Sequence, residues 1–176
     1  GDTASWSGGA GSNGTPSNSN ADRDKILVID AESSLNNAAI TNDVAVECLW
    51  IKPATKLIIN DGNAFEFDED FIFEGEIRLL GDAQFLQTHT GISNVQGNGK
   101  LYRDQQAKVP TPYRFHYWSS PVVAALGNTT FKVANIMKDG TTPTSENSVP
   151  KEINFVSNSY NGAPTNPITI ANYWIF

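Results

Sequence analysis

The sequence predicts an all-β protein: a short right-handed β-solenoid of about four coils of roughly 22 residues, followed by a β-sheet, sandwich-like cap. Three observations carry that prediction. Apolar residues recur in apolar-x-apolar pairs, Leu27/Ile29, Leu49/Ile51, Leu57/Ile59, Phe65/Phe67, Phe71/Phe73 and Ile77/Leu79, which is the period-two alternation of strands. The pairs also recur at a longer interval: Ile29, Ile51, Phe73 and Val95 are spaced 22 apart, and so are Leu35, Leu57, Leu79 and Leu101. Stacked coils produce such a spacing, each winding lying about 4.8 Å above the last with its inward side chains in shared columns. Between the pairs stand Ser33-Ser34, Pro53-Ala54-Thr55, Asn60-Asp61-Gly62-Asn63, Asp68-Glu69-Asp70, Gly81-Asp82 and Gly97-Asn98-Gly99, residues that accept the sharp or left-handed backbone of a corner. An antiparallel sandwich also gives short alternating strands and is the competing architecture.

Taken in order, residues 1–23 form a Gly/Ser/Asn-rich leading segment. Thirteen of its first 20 residues are Gly, Ser or Asn, so it reads as a linker, with Trp6 the one side chain expected to dock on the downstream strands. Residues 24–108 carry the solenoid. Over 109–176 the long spacing stops, and strand candidates appear at 113–118, 130–133, 153–156 and 168–176, with a structureless loop over 138–150. This C-terminal β module finishes on Tyr173-Trp174-Ile175-Phe176, an aromatic run that reads as the interior of a longer polypeptide.

Composition narrows the function classes. Lys+Arg 12 against Asp+Glu 19 gives a net charge of -7, which repels nucleic-acid phosphates and anionic lipid, so neither is expected as a partner. No apolar run approaches the ~20 residues that cross a bilayer as a helix, and no membrane insertion is expected. Few charges and 18 Asn disfavour long helices. The single Cys48 forms no internal disulfide and reads as a small apolar residue.

Candidate sites emerge from the alternation. Residues 61–82 hold eight of the 19 acidic residues and one base, Arg78. Glu66, Asp68, Asp70, Glu74 and Glu76 share the parity opposite to the phenylalanines and so point outward. Asp68, Asp70 and Glu74 are weak Ca²⁺ candidates, because hard carboxylate oxygens suit that ion, but no calcium-loop spacing is present and a solvated face that discourages edge-to-edge association is the simpler reading. No cofactor is expected. Val28, Trp50 and Ile72 are spaced 22 apart on the outward parity and should form an apolar stripe, covered by another element of the chain or serving as a partner platform. Catalysis has little support: Ser119 and Ser120 lack a nucleophile elbow, and His89 and His116 lack partner spacing. Asn13 and Asn128 match the N-glycan acceptor pattern.

The opening Trp in a Gly/Ser/Asn segment, the stretch LWIKPATKLIINDGNAFEF, the step GNGKLYRD, the run YRFHYWSSPV and the downstream MKDGTTPTSENSVPKEINF and NYWIF together resemble a module of very large exported surface proteins of Bacteroidota, chiefly flavobacteria. The signature residues are Trp118, Ser119, Ser120 and Pro121. The resemblance implies export by the type IX secretion system, an extracellular cell-surface location and a gliding-motility-associated or adhesin-like role. Under it, Asp2-Thr3-Ala4 is similar to a Bacteroidota O-glycan acceptor with Thr3 as the modified residue. The expected function is a non-catalytic structural or adhesive module. Its partners are neighbouring segments of the same polypeptide, the export machinery and surface glycans. A carbohydrate-binding module, with Trp50 or Trp118 stacking on sugar rings, and a fragment of a surface polysaccharide hydrolase or lyase are the alternatives.

Overall fold

The computed structural model describes residues 9, 15–30, 37–40, 42–92, 94–106, 132–140 and 149–175, with the side chains of 37–40 outside that description. The chain divides into two compact units, Gly1–Gln105 and Gln106–Phe176.

The first unit is a β-solenoid with three strands per coil. The first coil contains β1 (Ile26–Ile29), β2 (Asn37–Ile40) and β3 (Val44–Val46); the second β4 (Cys48–Ile51), β5 (Lys56–Ile59) and β6 (Ala64–Phe67); the third β7 (Phe71–Phe73), β8 (Glu76–Leu79) and β9 (Gln84–Gln87). A partial fourth adds β10 (Val95–Gln96) and β11 (Lys100–Arg103). Every third strand pairs in parallel, giving a first face β1-β4-β7-β10, a second β2-β5-β8-β11 and a third β3-β6-β9. Parallel ladders of this kind need both sides shielded or a continuous apolar interior, and the inward residues provide the interior. Leu49, Ile51, Leu57, Ile59, Phe65 and Ile77 are each 0% exposed. Burial of such side chains contributes about 1.5–3 kcal/mol apiece. At the junction of the third and first faces, Phe67, Phe71 and Phe85 meet with ring centroids 5.1 to 5.4 Å apart, and Phe73 stacks on Phe71 at 4.9 Å.

Ile29, Ile51 and Phe73 lie in direct register, as the 22-residue spacing requires. The rest of the two sequence ladders does not hold. Val95 pairs with Phe71 rather than Phe73 and is 49% exposed. Leu57 pairs with Ile77, and Ile77 with Leu101, while Leu79 pairs with Ile59; Leu35 lies outside the described residues. The cause is unequal corners. Four residues, Lys52 to Thr55, turn the second coil from its first to its second face, whereas Glu74 and Gly75 alone do so in the third. That tight corner needs glycine: a Cβ on Gly75 would sit 2.5 Å from the Thr55 carbonyl oxygen and 2.6 Å from that of Lys52. A longer link, Thr88 to Asn94, then separates β9 from β10 and displaces Val95. Corner chemistry also couples coils directly. Asp61 Oδ1 accepts the Asp82 N–H at 2.7 Å, and Gly81, at φ +54, leaves room for that carboxylate, since a Cβ there would lie 2.3 Å from the same oxygen.

The leading segment differs from a plain linker. Its helical turn α1 (Asn20–Arg23) comes just after Ser17, whose carbonyl accepts the Ala45 N–H of β3 at 3.0 Å. Asp22, 1% exposed, accepts the Ser17 N–H at 2.8 Å, the Ser17 hydroxyl at 2.7 Å and Lys25 Nζ at 2.9 Å. These bonds satisfy a buried carboxylate and tie residues 17–25 to the first coil. Trp6 lies outside the described residues.

In the second unit, β12 (Lys138–Asp139) pairs antiparallel with β13 (Lys151–Glu152), and β14 (Asn154–Val156) pairs parallel with β15 (Thr169–Ala171). Three sequence expectations are corrected by this unit. Val133 opens a helical turn, α2 (Val133–Ile136), instead of ending a strand; residues 138 and 139 are strand instead of loop; and the strand at 168–176 stops at Ala171, giving way to a 3-10 helix, Asn172–Trp174. At 138–139 pairing with β13 makes a strand where composition alone gives a loop, and the Asp139 carboxylate, 6% exposed, accepts the Ile168 N–H at 2.7 Å. The strand expected at 113–118 lies outside the described residues.

Candidate functional site

Two surfaces of the molecule place side chains in arrangements that local folding alone does not require. The first is the outer side of the solenoid's first face. Strand alternation turns Val28, Trp50 and Ile72 away from the core, and parallel register sets them side by side, Val28 beside Trp50 and Trp50 beside Ile72. Val28 is 40% and Trp50 36% exposed, with Ile72 half-buried; Trp6, one of the elements expected to cover the stripe, lies outside the described residues. Trp50 Nε1 donates to Glu74 Oε2 at 3.1 Å, and Lys52 Nζ stands 5.3 Å from the indole centroid while pairing with Asp30. The indole is therefore held by a hydrogen bond and a cation across three coils. Cys48 lies one register step away on the same side; burial pushes its thiol pKa up, an Asp70 backbone hydrogen bond opposes that, and the carboxylates of Glu47, Asp70 and Glu69 add to the rise. It is a poor nucleophile in this setting.

The calcium candidates Asp68, Asp70 and Glu74 are all exposed but do not converge. Asp68 Oδ1 accepts the Thr88 hydroxyl at 3.1 Å, Asp70 accepts the Asn94 amide, and Glu74 holds Trp50. Among the described residues no group of three or more His, Cys, Asp or Glu side chains is placed to hold a metal ion. His89 contacts Gln87 at 3.5 Å. Trp118, Ser119, Ser120 and Pro121, with His116, Thr3, Asn13 and Asn128, lie outside the described residues.

The outer side of the second face is buried at Ile58 and Arg78 and open at Lys100. Ile58 is 1% and Arg78 0% exposed, although both carry the outward parity. Arg78 donates Nε to Asp104 at 3.0 and 3.1 Å and Nη2 at 2.8 Å, a bidentate fork that compensates a buried guanidinium. Beside it Lys56, Glu76 and Lys100 stand in register, with Lys56 Nζ 2.9 Å from Glu76 Oε1, an ion pair without an aligned hydrogen bond. The sequence marks Arg78 only as the one base in an acidic stretch; its outward parity hides its burial.

The second surface lies in the second unit; the sequence marks Tyr173 and Trp174 as part of an aromatic run but neither as a site nor together with Tyr160. Tyr160, Tyr173 and Trp174 are 67%, 56% and 56% exposed. Their rings meet edge to face, Tyr160 to Tyr173 at 4.7 Å and 81°, Tyr173 to Trp174 at 4.9 Å and 86°. Trp174 Nε1 donates to the Tyr160 carbonyl oxygen at 2.7 Å. The available signal was compositional: no charged residue occurs from Ile153 to Phe176, in a chain of net charge -7.

No family model, no curated protein and no solved structure matches this chain.

Proposed function

We propose that this chain is a non-catalytic structural and adhesive module of a large secreted, cell-surface protein, with neighbouring segments of the same polypeptide, type IX export machinery and surface glycans as its partners. The resemblance of the YRFHYWSSPV run and its flanking motifs supports the surface assignment. The observation that carries the structural role is the direct stacking of Ile29, Ile51 and Phe73, each under its neighbour across three coils. Backbone ladders on three faces join the first three windings and on two faces the third to the fourth, so tension on the chain is shared among parallel hydrogen bonds instead of falling on one contact. Acidic side chains on the outside, Glu66, Asp68, Asp70 and Glu74 among them, keep copies of the module from pairing edge to edge.

The test is single-molecule pulling of the chain between two reference domains. The expected record shows discrete unfolding peaks, with steps near multiples of about 75 Å of chain per coil of 22 residues. A smooth extension without peaks, as an unfolded linker gives, rejects the tension-bearing role. Turnover of a polysaccharide by the purified chain rejects the non-catalytic assignment.

A further inference from the structure

We infer that Tyr160, Tyr173 and Trp174 form a binding platform for a neutral saccharide. This rests on the adhesive part of the proposed function, for which it names a site and a ligand class, and does not depend on the tension-bearing part. Three aromatic side chains, each more than half exposed, are costly to leave in water unless something occupies them. Their orientation is fixed in advance. Tyr173 stands nearly perpendicular to both neighbours, and the indole N–H is satisfied internally by the Tyr160 carbonyl, so the rings are aligned without the help of a ligand.

Charge and area select the occupant. The segment that builds the platform contains no acid and no base, so an ionic partner finds no counter-charge within it. Instead its polar groups are hydroxyls and amides: Asn172 Nδ2 donates to Ser157 Oγ at 2.9 Å, and Ser159 Oγ bonds the Asn161 N–H and carbonyl at 3.1 Å each. The three side chains offer on the order of 400 Å² of exposed aromatic surface. A stable protein partner needs about 800 Å² on each side. A pyranose fits both limits: its axial C–H face lies on an aromatic ring, while its equatorial hydroxyls reach amide and hydroxyl groups at the rim. Trp50 is a poorer choice, because Lys52 and the Glu74 carboxylate already engage its indole.

The experiment uses the full chain on an array of neutral oligosaccharides of glucose, galactose, mannose and N-acetylglucosamine, with sulfated and uronic-acid oligosaccharides alongside. Any hit is taken into tryptophan fluorescence titration. The expected result is binding of at least one neutral oligosaccharide, weakened roughly tenfold or more by Trp174→Ala and by Tyr173→Ala, unchanged in Trp50→Ala, and partly kept in Trp174→Phe. Circular dichroism identifies any variant that fails to fold; protection of the wild-type indoles from N-bromosuccinimide by the bound sugar, mapped by mass spectrometry to Trp174, then stands in for that variant. No neutral ligand, binding confined to acidic sugars, binding indifferent to Trp174→Ala, or protection falling elsewhere overturns the inference. A polypeptide that seats on these rings in place of a sugar overturns it as well.

Discussion

The first and second faces of the solenoid are built by the same rule and end in opposite states. Both present Leu and Ile to one interior, and both carry large side chains on their outer sides. On the first face Val28 and Trp50 remain open, while on the second Ile58 and Arg78 are almost wholly buried. Alternation decides which side of a strand a residue occupies, and it says nothing about what lies over that side. Outward is therefore a statement about direction, and exposure is a separate fact set by the remainder of the chain.

The largest effect expected from this contrast is at Arg78. Arg78→Ala should destabilise the chain by about 3–5 kcal/mol, because Asp104 is left as an uncompensated carboxylate in a site only 14% exposed. Urea denaturation measures the loss, and a cost below about 1 kcal/mol would mean that the second face is not closed over Arg78. Next, Ile58→Ala should cost about 2–4 kcal/mol, whereas Val28→Ala, a comparable truncation of a side chain left 40% exposed, should cost about 1 kcal/mol or less, so the pair reports the burial of each face directly. Equal costs on both faces would erase the distinction. The smallest effect is that of Cys48. Its pKa in the fold lies above the ordinary thiol value, so the native state keeps a proton that the unfolded state gives up. The stabilisation is complete below the ordinary thiol range and is lost as pH rises through the folded value. Urea midpoints of the wild type should therefore fall slightly more between about pH 8 and pH 10 than those of Cys48→Ser, and parallel curves would contradict the raised pKa.

The legibility of the fold tracked corner length. On the first face two successive coils have the same length, so Ile29, Ile51 and Phe73, and the stripe Val28, Trp50 and Ile72, could be aligned by counting. On the second face counting misaligned Leu57 with Leu79, because Gly75 replaces a four-residue corner by a two-residue one, and nothing in the apolar pattern marks that deletion. In the second unit the aromatic run at 173–174 was legible as aromatic but not as a 3-10 turn. Its conformation comes with contacts to Tyr160, thirteen residues or more away along the chain.

The amino-acid order by itself determined the class of structure: side chains of alternating polarity, broken by residues tolerant of corners, have few ways to bury their apolar half other than stacked strands. It also determined the acidic, weakly helical character of the chain. Register on the second face, closure over Arg78 and the gathering of Tyr160, Tyr173 and Trp174 were decided only in three dimensions. Each depends on where a distant backbone carbonyl or carboxylate comes to rest, and a linear pattern contains distances along the chain without the distances across it.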